Sequence, residues 1–372
     1  MHKWSALTSV QTKLDPTRGV PVRTMKLFAV LLAITVVATA CSDSDDQTTD
    51  GSWPNEITFG FVPSNEQEHL QDQVQPFIDH LEGVLGIDVE GVVTTDYTAL
   101  ITALGTGKAD LGAMGPFAYV TGKKEFGNMA AFAQAVRYGS GTYHGQWMTN
   151  DPSLCDTPVV PGTALENIDG EVVQVGALDA VALQVGVYFG DSGKALGETR
   201  DNGPVSPGSS CIADLSKVAG KRVAFTQESS TSGYLFPSLQ LIQAGIDPAS
   251  GIVPIFTGGH DGAVAAVYAG DADVGISYDD ARRSLRKEKL DVGEKVIVFN
   301  LTAEIPNDVV AASTLLPSSL KTAIYNAISA YLMTDEGEAV MDEVAGWTDI
   351  RPAVESDFDV VRAAAEAGIT GG

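Results

Sequence analysis

The sequence predicts an α/β protein built as two similar lobes. Three observations carry that prediction. Short apolar strands alternate with amphipathic helices along most of the chain, the rhythm of an α/β architecture with mainly parallel sheets. Gly107-Lys108-Ala109-Asp110-Leu111-Gly112-Ala113 is echoed by Ala269-Gly270-Asp271-Ala272-Asp273-Val274-Gly275, each closing a helix and opening a strand. The 372 residues suffice for two buried cores.

In chain order, residues 57–62 alternate as a first strand that stops at Pro63. A helix is expected over 67–85, kinked or restarted at Pro76 and ended by Gly86. A second strand covers 87–93. Thr94, Thr95 and Asp96 then cap a helix over 97–104. Residues 107–113 are a turn and strand, and Gly115-Pro116 opens the next helix, where Pro suits the first turn. Between Asp151 and Cys211 the texture changes to Pro, Gly and Asp punctuation, with 172–175 and 183–189 reading as a hairpin. This stretch is an insertion in an otherwise regular pattern, which resumes at Val218. Strands are expected at 223–226, 252–256 and 272–280, and helices at 262–269, 317–333, 335–344 and 356–366.

The N-terminus carries an export signal. Arg23 and Lys26 precede an apolar run over 27–37, too short to span a bilayer, and Ala38-Thr39-Ala40-Cys41 follows as a small-residue cleavage site. A Cys in that position resembles a bacterial lipobox, although the usual Leu three residues earlier is Ala38. Residues 1–40 are thus expected as signal peptide, with Met25 as the true start and 1–24 an over-extension. Residues 41–55 form a polar tether held by lipid on Cys41 to the outer face of the cell membrane. With Cys41 lipidated, Cys155 and Cys211 remain as a pair, and export permits a disulfide between them. The formal net charge of −25 excludes nucleic acid and anionic membrane surfaces as partners.

Candidate chemistry centres on Ser229-Ser230-Thr231-Ser232-Gly233-Tyr234, between a strand and a helix. The first turn of a helix has free N–H groups and partial positive charge, so hydroxyl-rich sequence there suits an oxyanion without Lys or Arg. Gly258-Gly259-His260-Asp261 brings a histidine to a second helix start, and Tyr97 follows a capping Asp96 at a third. Ser230, His260 and Asp308 have the residue types of a hydrolytic triad, but the chain has no G-x-S-x-G elbow, H-E-x-x-H or Walker A motif. Binding without catalysis, cofactor or metal is the expectation.

Taken in order, Phe61-Val62-Pro63-Ser64, Gln75-Pro76-Phe77, Thr95-Asp96-Tyr97, Gly115-Pro116-Phe117-Ala118-Tyr119, the Ser229–Tyr234 run, Gly258-Gly259-His260-Asp261, Tyr278-Asp279-Asp280, Ile305-Pro306-Asn307-Asp308 and Gly346-Trp347 resemble the periplasmic phosphonate, phosphite and phosphate-binding proteins of ABC importers. The resemblance spans most of the chain and implies a type II periplasmic-binding-protein fold with the ligand in the cleft between two α/β lobes. The expected division is 56–140 plus 305–372 for lobe 1 and 141–304 for lobe 2, with 151–211 inserted. By matched motif, Ser230, Thr231, Ser232 and His260 would hold the phosphonyl oxygens, with Tyr97 and Tyr143 as aromatic contacts. Asp308 would meet a ligand ammonium group, and Asp279 and Asp280 would be further acceptors. The implied partners are a small phosphorus oxyanion and ABC permease subunits, with the binding protein a monomer. A sensor lipoprotein signalling to a membrane partner, or a binder of another small oxyanion, is the alternative reading.

Replacing Cys41 with Ser should move the protein from the membrane to the soluble fraction or stall its processing. Detergent partitioning of the wild type and Cys41→Ser checks this, and a wild type that never enters the detergent phase refutes lipidation.

Overall fold

The computed structural model describes residues 52–65, 67–176, 208–286 and 288–369. The export signal, Cys41, most of the tether and the expected strand at 183–189 lie outside them. The chain opens with β1 (Glu56–Phe61), α1 (Gln67–Leu85) and β2 (Asp88–Val93), and α1 runs through Pro76 as one element. Asp96 then accepts from the Ala99 N–H at 2.7 Å and starts α2 (Tyr97–Gly105). β3 (Leu111–Met114) leads through Gly115 into α3 (Pro116–Phe126), and β4 (Met129–Val136) and β5 (Thr142–Thr149) follow.

The insertion contributes β6 (Val160–Pro161), β7 (Thr163–Ile168), β8 (Glu171–Gly176) and β9 (Ser209–Ser210). Residues 172–175 lie in a strand, as expected, and it pairs with β7. The reason is an Asp-Gly turn: Asp169 and Gly170 both have positive φ, 53° and 89°, the geometry of tight hairpin turns. After it come β10 (Arg222–Phe225), α4 (Phe236–Gln243), β11 (Val253–Phe256), α5 (His260–Ala269), β12 (Val274–Tyr278), α6 (Val292–Lys295) and β13 (Ile297–Pro306). The chain closes with β14 (Val309–Ser313), α7 (Ser318–Leu332), α8 (Asp335–Ala345), β15 (Asp349–Pro352) and α9 (Asp359–Ile369).

Two sheets organise these elements into two lobes. The first has the order β15-β4-β14-β3-β1-β2 and the second β11-β10-β12-β5-β13-β9-β6. Each is mixed, which corrects the expectation of mainly parallel sheets. β1, β2 and β3 run parallel, as do β10, β11 and β12, in the manner that βα connections impose. β4, β5, β13 and β14 instead carry the chain from one sheet to the other, and their pairings β14–β3, β14–β4, β12–β5 and β13–β5 are antiparallel. Apolar side chains fill both faces of each sheet. Phe59, Phe61 and Phe77 stack and meet edge to face in one lobe, while Trp147 and Phe299 lie together in the other.

Cys155 and Cys211 are disulfide-bonded, with Cα atoms 5.8 Å apart. Cys211 is buried against the core that contains Trp147 and Phe225. Closing a loop of this length stabilises by up to about 4 kcal/mol in the chain-entropy model, and by less if the freed loop keeps structure. The Cys155→Ser/Cys211→Ser double variant should therefore show a lower urea midpoint than the wild type. Two freely alkylated thiols in the native protein would refute the link.

Candidate functional site

A cavity of about 60 Å³ lies between the lobes, and both contribute to its wall. From the first lobe come Tyr97, at the start of α2, and Gly115, before α3. The second gives Ser230, Thr231, Ser232 and His260, and the crossing segments bring Arg137, Tyr143 and Asp308. Seven of the nine side chains expected from sequence thus meet here. Asp279 and Asp280 do not. The Asp279 carboxylate accepts from the His144 backbone N–H at 3.1 Å, on the far side of the strand end. Asp280 is buried in an ion pair with Arg282 at 2.6 Å and also accepts from Gln146 at 2.9 Å. Burial works against the Asp280 charge, but Arg282 outweighs it and holds the carboxyl below its ordinary value. A carboxylate so fully matched has nothing left for a ligand.

The hydroxyl run folds as one π-helical turn, Thr231–Leu235, ahead of α4. Ser230 caps it by accepting from the Gly233 N–H at 3.1 Å. Gly233 is required, because a Cβ there would fall 2.0 Å from Thr226 Oγ1. Thr231 Oγ1 accepts from the Phe117 N–H at 2.9 Å, which joins the second lobe to the start of α3. With its acceptor role taken, the Thr231 hydroxyl proton remains to be donated. Two more bonds close the lobes: Tyr97 N–H to Gln227 Oε1 at 3.0 Å and His260 N–H to Ser64 O at 2.8 Å.

The surrounding groups are chiefly neutral donors. Burial, reinforced by the Asp308 charge, pushes the Tyr97 and Tyr143 phenols well above their ordinary value. They keep their protons at any physiological pH. His260 is buried, and its Nδ1 lies 2.8 Å from Ser277 Oγ. Burial, helped by the Arg137 charge, pulls the imidazole down to about 3, so His260 serves as a neutral ring and not as imidazolium.

Sequence reasoning missed Arg137. Its Nη2 donates to Asp308 Oδ2 at 2.5 Å, and the guanidinium sits over the Tyr143 and Tyr278 rings at 5.2 and 5.8 Å. Asp308, expected to meet a ligand ammonium group, is here paired with a cation of the chain itself. One signal was available: Arg137 is the only Lys or Arg between Lys124 and Lys194. Among the described residues no group of His, Cys, Asp or Glu is arranged to hold a metal ion.

A family model described as "ABC transporter, phosphonate, periplasmic substrate-binding protein" matches residues 59–358. The chain belongs to this family. Its members are transport substrate-binding proteins rather than enzymes, and the periplasmic description makes this an exported protein. The Phosphate-import protein PhnD of Mycolicibacterium smegmatis is 26% identical over 358 residues, covering 91% of this chain and 94% of that protein. The Phosphonates-binding periplasmic protein of Escherichia coli is 22% identical over 305 residues, covering 82% and 74%. The structure of PhnD1 from Prochlorococcus marinus in complex with methylphosphonate superposes with a TM-score of 0.61 at 17% identity, covering 84% of this chain and 97% of that one. That likeness establishes the two-lobed type II binding-protein fold. No helix among the described residues is long and apolar enough to cross a membrane.

The low value at His260 has a stability consequence with a definite sign. Between about pH 6.5 and about 3 the unfolded chain takes up a proton on this ring that the folded protein refuses. The unfolded state then binds more protons, so stability falls as pH falls through that window. His260→Asn should reduce the difference between the urea midpoints at pH 7 and pH 4. An unchanged difference would show that the ring is not held neutral.

Proposed function

We propose that this family member captures a small phosphorus oxyanion between its lobes and delivers it to an ABC permease, while a lipid on Cys41 holds it to the outer face of the membrane. The observation that carries the reading is a ring of donors with one carboxylate in it. The Thr231 hydroxyl, the Tyr97 and Tyr143 phenols and the backbone N–H groups of the 231–235 turn can each donate to an oxyanion, and hydrogen bonds to charged groups are the stronger kind. Asp308 can only accept. A Cβ placed on Gly115 would lie 3.2 Å from Thr231 Oγ1 and 3.9 Å from Asp308 Oδ1, so Gly115 leaves open the space where donor and acceptor face each other. A carboxylate beside an oxyanion is favourable when the ligand brings a proton. Hydrogenphosphate carries one at physiological pH, phosphite and phosphonates can take one up close to that pH, and sulfate cannot.

Size supports the same class. A water needs roughly 10–15 Å³ of such space, so a cavity of about 60 Å³ suits a tetrahedral ion with at most a small substituent. Closure of the lobes around that ion gives a permease a liganded form to recognise. Transfer to the permease requires reopening, and the bonds from Phe117, Tyr97 and His260 are among those that must break.

Calorimetry with inorganic phosphate, phosphite, methylphosphonate and sulfate tests the reading. The three phosphorus ligands should bind and sulfate should not. Thr231→Ala should weaken binding by about ten-fold to a hundred-fold, given roughly 1.5–3 kcal/mol for a hydrogen bond to a charged group. Part of that loss comes from the Phe117 bond between the lobes. A wild type that binds none of the phosphorus ligands, or binds sulfate as well as phosphate, overturns the proposal.

A further inference from the structure

The anion cavity ends at Arg137, and a second space begins behind it. Arg137 and Tyr143 line both the small cavity and a chamber of about 470 Å³. The chamber's other walls include His144, Asp279 and Glu304, together with Glu166 from β7 of the insertion. Its charged lining is chiefly acidic. Arg137 is thus a wall between a donor-rich site and a carboxylate-rich one. It is held there by the ion pair to Asp308 and by the two aromatic rings beneath its guanidinium. Its Nε is buried without a hydrogen-bond partner among the described residues, so the same group keeps a donor to spare.

We propose that Arg137 is the specificity-determining residue of the site: an internal cation that satisfies Asp308 and shuts off the acidic chamber, so that the protein takes phosphorus oxyanions with little or no substituent and rejects aminoalkylphosphonates. This rests on the phosphorus-oxyanion reading and names its substrate class. The physical basis is competition for one carboxylate. A ligand ammonium must displace a guanidinium that is tethered, planar and already oriented, whereas the ligand would have to be ordered on binding. A ligand with a longer substituent must also move Arg137 aside and leave a partly buried charge unpaired, a built-in penalty against the wrong ligand. With Arg137 removed, the signs reverse. Asp308 lacks a cation, and the chamber behind offers both room and further carboxylates to a cationic chain.

Calorimetry on the mature protein with inorganic phosphate, methylphosphonate, ethylphosphonate and 2-aminoethylphosphonate tests this. The wild type should bind phosphate or methylphosphonate at least about thirty-fold more tightly than 2-aminoethylphosphonate. Arg137→Ala should shift that ratio at least about ten-fold toward the aminoethyl ligand. Since Arg137→Ala strips the counter-charge from Asp308, the Arg137→Ala/Asp308→Ala double variant tests the size barrier without an unpaired carboxylate. In it, ethylphosphonate should gain on phosphate by a similar factor. A purely structural role would lower all affinities alike and leave the ratios unmoved, which overturns the proposal. So does a wild type that binds 2-aminoethylphosphonate within about three-fold of phosphate. A wild type that binds none of the four overturns the functional reading itself, and this inference with it.

Discussion

The arrangement of the whole site depends on how the two crossing segments hold each other. The Asn307 N–H donates to Gly141 O at 2.9 Å, and its side-chain amide donates to Ser140 O at 2.8 Å. Asn307 is fully buried, and Gln134 Nε2 donates to its carbonyl at 3.4 Å. These bonds lock the chain leaving β4 to the chain leaving β13, at the one level where both pass between sheets. Arg137, Tyr143 and Asp308 all lie within four residues of that junction. A tight turn adds to it: Arg137 and Ser140 exchange both backbone hydrogen bonds at 2.9 Å. The base of the cleft is therefore built from paired backbone, whereas hydrogen bonds and packed side chains close its mouth.

Such a base solves an electrostatic problem. The chain carries a formal net charge of −25, a field that opposes anion capture at long range. Salt screens charge beyond about 10 Å, so short-range groups decide binding. The site meets this with neutral donors whose protons are secured by burial, and with two guanidinium groups, Arg137 and Arg283, each paired with a carboxylate, Asp308 and Asp342. Neutral His260 fits the pattern, because no carboxylate offsets the cost of burying its charge near Arg137.

The insertion connects to the same logic. Its β9 pairs with β13, and its β7 and β8 form a hairpin that brings Glu166 to the chamber behind Arg137. The disulfide between Cys155 and Cys211 fixes the ends of the excursion to the core of the second lobe. An element that looks peripheral in the sequence thus lines the space next to the binding cavity.

Local signals in the sequence determined most of the helices, the strands of the βα units and the hydroxyl turn, and marked Tyr97, Thr231 and His260 at the starts of their elements. Periodicity, caps and Gly or Pro punctuation act over a few residues, so α1 and the start of α2 fall where the residues place them. Export and the residues of the cysteine pair were legible for the same reason. Tertiary structure alone decided what depends on partners distant in the chain: the mixed direction of the sheets, the pairing of β8 with β7, and the fate of each acidic side chain. Asp279, Asp280 and Asp308 look alike as sequence, but one faces away, one is spent on Arg282, and one is matched by Arg137. A charge is free or satisfied according to what lies within a few ångströms of it. For Asp308 that neighbour is 171 residues away in sequence, beyond the reach of any local pattern.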